Sequence, residues 1–233
     1  MDNIKILFEI LNNFPEEISK VIKIKINKNN LNYNSLEEIR IRNSKPIILK
    51  FRNKEIVLTE HIVSKEEINS IFQKLCNNSI HTYQREIING YITIKGGHRV
   101  GITGEAVLDK ESIINIKNIS SLNFRISHNI IDCSNFLLKY ILNIETGEIY
   151  NTLIVSSPGA GKTTILKDLI KKISNGIEEI NFIGQDVSVV DERGELSSIF
   201  EGVLQNDLGI RTDIIRKCSQ NYRNKNVYSF NGT

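Results

Sequence analysis

The sequence predicts a mixed α/β chain, with an N-terminal α+β domain over residues 1–142, a connection at 143–150 and an α/β core from 151 onward. Three observations predict it. Apolar residues near the N-terminus recur at helical spacing. Several runs between 38 and 126 alternate apolar and polar side chains, as half-buried strands do. At 151–173 an apolar run passes through a loop of small residues into an amphipathic segment. With 40% hydrophobic and 24% charged residues in 233, the chain can bury a core without disulfide or metal staples and is not compositionally disordered. Lys and Arg number 30 against 27 Asp and Glu; the resulting +3 argues for no nucleic-acid partner, and none is expected.

Ile4, Leu7, Ile10 and Leu11 mark a first helix, and a second short one follows Pro15. Its interrupting charges exclude a signal peptide or membrane span at the N-terminus. Glu38–Arg42, Pro46–Phe51 and Glu55–Leu58 read as strands, with Arg52-Asn53-Lys54 turning the chain between the last two. Ser64 and Glu67 have capping-box spacing and open a helix that runs to about Cys76. Tyr91–Ile94 and Arg99–Thr103 are β-prone and flank Gly96-Gly97, a turn that needs positive φ. Leu122–Ile126 is a further strand, Phe136–Leu142 a helix, and the polar stretch 221–233 no element. Cys76, Cys133 and Cys218 form no CxxC pair, and His61, His81, His98 and His128 show no metal spacing. The thiols read as reduced, in a cytosolic protein, and the histidines as structural or surface residues.

The chemistry concentrates at 151–164. The apolar run Leu153-Ile154-Val155 enters Ser156-Ser157-Pro158-Gly159-Ala160-Gly161-Lys162-Thr163-Thr164, and a helix through Ile173 follows. Strand, small-residue loop and helix in this order are the context of a phosphate-binding P-loop. Residues Ser157 to Thr164 form the expected binding segment, in which the amides from Gly159 to Thr164 would meet phosphate oxygens, and the helix N-terminus adds partial positive charge. Lys162 is expected to bridge the β- and γ-phosphates of ATP, and the Thr163 hydroxyl to ligate Mg²⁺. The motif ordinarily opens on glycine; here Ser156 holds that place, a small residue away from the phosphate-contacting amides.

Val187-Ser188-Val189-Val190 ends in Asp191-Glu192-Arg193-Gly194-Glu195. A buried parallel strand puts such carboxylates at the sheet's carboxyl edge, where nucleotides bind. Pattern alone reads it as a Walker B strand, with Asp191 on Mg²⁺ and Glu192 polarising water; a strand ending in a solvated acidic turn is the bland alternative. Gly96-Gly97-His98-Arg99 is either a partner- or nucleotide-facing loop or a turn with solvated His98 and Arg99. Arg125 is either a surface residue or an arginine acting on a neighbouring subunit's nucleotide.

At these motifs the chain resembles the stage III sporulation protein AA family of endospore-forming bacteria, itself related to the hexameric ATPases of type II and type IV secretion. The segments Asn89–Ile102, Ile119–Arg125, the P-loop, Val189–Glu195 and Gln205–Asp213 carry the resemblance. It implies a RecA-like P-loop ATPase domain and a ring of identical subunits, hexameric as in the secretion relatives. It further implies a place on the mother-cell side of the forespore membrane, peripheral to it, powering membrane-embedded sporulation channel proteins. By the same match Asp191, Glu192 and Glu195 become catalytic acids of an acidic box, and Arg125 or Arg211 reaches nucleotide at a subunit interface. The family continues past Gln220 into a strand ending Asp-Glu. Here residues 221–233 read differently, so a frameshift or early stop near Gln220 is expected, leaving 151–220 as the first part of an ATPase core incomplete at its C-terminal end. Whether such a chain hydrolyses ATP or only binds it stays open. A small P-loop kinase with Asp191 as its Walker B acid is the third reading.

Overall fold

A computed structural model of the chain describes residues 2–29, 31–128, 130–157 and 159–216. They divide into two compact units between His128 and Asn129. Pro158, Cys218 and the tail 221–233 lie outside the described residues.

The N-terminal unit opens with helices α1 (Asp2–Leu11) and α2 (Glu16–Lys28). Pro15 precedes α2, whose first turn holds Glu16 and Glu17 and whose last turn holds Lys25 and Lys28, charges aligned with the helix dipole. Strands β1 (Leu36–Arg42), β2 (Pro46–Phe51) and β3 (Lys54–Ile62) follow, the last two joined tightly through Arg52 and Asn53. The predicted capping box is present: the Ser64 hydroxyl accepts the Glu67 amide at 3.1 Å and the Glu67 carboxylate accepts the Ser64 amide at 2.8 Å, opening α3 (Lys65–Leu75). A short α4 (Gln84–Ile88) leads to β4 (Tyr91–Ile94), β5 (His98–Asp109) and β6 (Ser112–Arg125).

These six strands form one antiparallel sheet in the order β3-β2-β1-β6-β5-β4. Alternation sends Ile39, Ile41, Leu49, Val100, Leu122 and Phe124 into a single apolar cluster, which Ile22 and Ile26 of α2 and Ile68 and Ile71 of α3 complete. The register sets Arg99, Arg125 and Glu38 side by side across β5, β6 and β1, in the alternate phase from that core. His98 belongs to the core instead. Its ring is 1% exposed, so the solvated-turn reading holds for neither its surroundings nor its chemistry. Gly96 and Gly97 do adopt positive φ (81° and 74°), and a Cβ on Gly96 would meet the His98 Nε2 at 2.7 Å.

In the C-terminal unit α5 (Asn135–Ile141) precedes α6 (Lys162–Asn175). A two-residue pair follows, β7 (Gly176–Ile177) with β8 (Phe182–Ile183), and then β9 (Val187–Asp191) and β10 (Thr212–Arg216). β9 and β10 are parallel, with Val187 opposite Thr212 and Asp191 opposite Arg216. Helix α6 is held on two sides. Leu169 packs with Ile141, Leu142 and Phe182, while Ile170 packs with Val189 and Leu208. Residues 130–142, assigned by sequence to the N-terminal domain, cluster with this unit because α5 buries its apolar side against α6.

The run 151–155 is the main departure from expectation. It forms no ladder among the described residues, and Leu153 and Val155 are 86% and 78% exposed. A short continuous apolar run is consistent with a buried strand; it does not by itself supply a neighbouring one. Among the described residues no helix is long and apolar enough to cross a membrane.

Candidate nucleotide site

Helix α6 begins at Lys162 itself, with Gly161 at its N-cap in the left-handed region (φ 88°). Gly159 shares that conformation (φ 79°). A Cβ at either glycine would meet nothing within 4 Å, so it is backbone conformation and not crowding within the chain that calls for glycine here. The Ile165 amide already bonds the Gly161 carbonyl at 2.9 Å, leaving the earlier amides of the helix's first turn directed along its axis. Lys162 folds back over the loop. Its Nζ donates to the carbonyls of Ser156 (2.7 Å) and Ser157 (2.9 Å) and lies 3.2 Å from the Ser156 hydroxyl. The serine that replaces the motif's first glycine therefore touches the lysine directly. Thr163, next on the helix, lines the same cleft as Lys162.

That cleft, about 340 Å³, lies between the start of α6 and the end of β9, lined by Ile154, Lys162, Thr163, Asp191, Glu192 and Glu195 among others. It brings the predicted lysine, threonine and acids together, and its size suits a polyphosphate. Within it the three acids differ. Asp191 is 3% exposed; its Oδ1 accepts the Glu195 amide at 2.9 Å. Its Oδ2 accepts the amides of Leu196 (3.1 Å) and Ser197 (2.8 Å) and the Ser197 hydroxyl (2.6 Å). Glu192 is exposed and Glu195 partly so.

Neither arginine expected to reach a neighbouring subunit's nucleotide is among the residues that line this cleft. Arg125 is carried by β6 of the N-terminal unit. Arg211 turns to the far end of α6: its guanidinium donates to the Ser174 carbonyl at 2.8 Å, and its amide donates to the Ser174 hydroxyl at 2.7 Å. A guanidinium on the last carbonyls of a helix is a C-terminal cap.

Two further contacts within the C-terminal unit carry little sequence signal. Asp168, a buried acid on α6, accepts the amides of Asp132 (3.1 Å) and Ser134 (2.9 Å), the Ser134 hydroxyl (2.5 Å) and the Lys172 ammonium (3.0 Å). Burial alone would raise this carboxyl; the Ser134, Lys172 and Asp132 donors outweigh it and hold it below the usual carboxylate range. The thiol of Cys133 lies 3.6 Å from the Thr164 carbonyl, so segment 132–134 is fastened along the helix that begins with Lys162. Two charged residues, Lys167 and Asp168, between Leu166 and Leu169 give little hint of this anchor. Arg216, at the end of β10, lies over Gly194, where a Cβ would sit 2.7 Å from its guanidinium. Nothing in the sequence indicates that contact.

The sequence pattern of the family described as "Sporulation stage III, protein AA" matches residues 9–223. Stage III sporulation protein AA of Bacillus subtilis (strain 168) is 33% identical over 183 residues, covering 78% of this chain; the chain spans 58% of that relative's length. Among solved structures, the ATPase DotB of Legionella pneumophila aligns over 78% of this chain and 47% of its own, at 15% identity and a TM-score of 0.44. The ATPase DotB of Yersinia pseudotuberculosis aligns over 87% and 52%, at 14% identity and a TM-score of 0.41.

Proposed function

The chain belongs to the family described as sporulation stage III, protein AA, and from that premise we propose that it is an ATP-binding P-loop ATPase subunit whose C-terminal unit takes Mg-ATP. One observation carries the reading: Lys162, Thr163, Glu192 and Glu195 line a single cleft at a helix N-terminus whose preceding loop has left-handed glycines at 159 and 161. The residues fit the ligand. Lys162 already engages oxygen acceptors in the loop and can exchange them for phosphate oxygens, and the hydroxyl of Thr163 is a hard donor suited to Mg²⁺. Bound Mg²⁺ supplies charge neutralisation across the phosphates. The glutamates on the opposite wall supply carboxylates for orienting water. In the wider reading, subunits assemble as a homo-oligomeric ring, on the mother-cell side of the forespore membrane, and drive a membrane-embedded sporulation channel.

A second reading, binding without hydrolysis, is favoured by the run 151–157, which enters the loop without a ladder partner among the described residues. Titration calorimetry with Mg-ATP, together with phosphate release, separates the two. Both readings expect binding by the wild-type chain and at least a tenfold loss in Lys162→Ala, which removes the cation from the phosphates. Equal affinity in that variant overturns the site. Thr163→Ala is expected to need more magnesium for the same occupancy, and an unaltered magnesium titration counts against its role.

A further inference from the structure

Asp191 and Glu192 are adjacent acids at the end of one strand, and by position alone either serves as metal ligand or base. Their surroundings separate them. Asp191 closes β9 inside the protein, and three successive amides, those of Glu195, Leu196 and Ser197, converge on its carboxylate together with the Ser197 hydroxyl. Successive backbone N–H groups arranged this way make a concave anion site. Here the chain fills that site with its own side chain. Three of the four donors converge on Oδ2 and the Glu195 amide takes Oδ1, so both oxygens are committed to the turn.

We propose that Asp191 is a positioning residue, which folds the turn 192–197 and thereby sets Glu192 and Glu195 on the wall of the cleft, and that it ligates neither metal nor nucleotide. The inference rests on the nucleotide reading of the cleft. Drawing Asp191 toward a metal would strip the amides of 195–197 of their acceptor at a place where Ser197 is 0% exposed, a buried loss no water relieves. Because the Glu195 amide is itself one of the donors, the carboxylate fixes the backbone that carries the Glu195 side chain. The turn is held elsewhere as well. Gly194 takes φ 65° and its amide bonds the Asp191 carbonyl at 3.3 Å, and the buried Asn206 donates its Nδ2 to the Leu196 carbonyl at 2.6 Å. A loop tied at both ends and in the middle is what a wall that must not move requires.

The test compares the full wild-type chain with Asp191→Asn, which presents an NH₂ group where the turn needs an acceptor. Three quantities are read: amide hydrogen exchange resolved to 195–197, the magnesium midpoint for binding a fluorescent ATP analogue, and kcat and KM for phosphate release. The expected result is exchange at 195–197 at least tenfold faster with the amides of α6 unchanged. The magnesium midpoint stays within twofold, and kcat falls while KM for ATP holds. A midpoint displaced by more than twofold overturns the proposal, as does unchanged exchange at 195–197. Should Asp191→Asn fail to fold, Asp191→Glu displaces the carboxylate by one methylene and is read the same way: faster exchange at 195–197 supports the proposal and unchanged exchange overturns it. A wild-type chain that binds no magnesium nucleotide defeats the reading of the cleft and not the turn, whose exchange still decides the role of Asp191.

Discussion

His98 follows two glycines in a segment of turn formers, and composition there cannot say which side of the turn its ring takes. In the fold the ring is buried, its Nδ1 accepting the Ser127 amide at 3.0 Å while Nε2 has no partner among the described residues. Burial pushes its pKa down to about 4, His128 adds to the effect and Glu9 opposes it. The sign of the consequence follows. Near pH 6.5 and below, the unfolded chain takes up a proton that the native ring refuses, so the stability present above pH 6.5 is lost as the pH falls toward 4. The loss approaches about 3 kcal/mol. His98→Asn keeps an acceptor for Ser127 without titrating, and the difference between its unfolding free energies from urea titration at pH 7.5 and 4.5 should shrink by about that amount. An undiminished difference would show that another group governs the acid limb. The same blindness applies at Asp191. Its place at the end of a strand was legible, because strand and acid adjoin in the chain; its grip on the amides of 195–197 was not, because those partners are set by how the turn closes.

Elements with local causes were read correctly and those with distant causes were not. The capping box of α3 needs only Ser64 and Glu67, and both of its bonds form. Ser64→Ala should therefore cost about 1 kcal/mol in chemical denaturation, and no measurable change would mean that the box contributes little. The far end of α6 is closed by residues from elsewhere in the chain. Arg211 caps the Ser174 carbonyl, and Gly184 makes room for it, since a Cβ there would stand 2.5 Å from that carbonyl and 2.6 Å from the guanidinium. Neither the arginine's cap nor the glycine's role has a local pattern; the subunit-interface role expected of Arg211 came from the family resemblance alone. Gly184→Ala must displace backbone or cap, and a loss on the order of 2 kcal/mol is expected. Stability equal to wild type would refute the close packing. The run 151–155 misled in the opposite sense: its three consecutive apolar residues are a clear local signal, but a strand exists only where a partner lies alongside.

Across the whole molecule the two units are unequally built. Among the described residues the N-terminal unit gathers its helices and six strands around one large apolar cluster, whereas the C-terminal unit has two small ones, Ile141, Leu142, Leu169, Ile177 and Phe182 on one side of α6 and Ile170, Val189 and Leu208 on the other. Less buried apolar area means less stabilisation to set against chain entropy, so the C-terminal unit should unfold first. The candidate ligand binds that weaker unit, through Lys162 and Thr163 at the start of the helix both small clusters share. Ligand bound only to the native state stabilises by about 2.7 kcal/mol at a hundredfold excess over Kd, which for a unit of this size is a shift on the order of 10 °C. Scanning calorimetry of the full chain should then show two transitions. Magnesium nucleotide should raise the lower one and leave the upper one in place, and in Lys162→Ala it should raise the lower one by no more than about half as much. If the upper transition moves instead, or if a single transition moves as a whole, the units do not store their stability separately, and the division between Lys162's unit and the six-stranded sheet is not an energetic one.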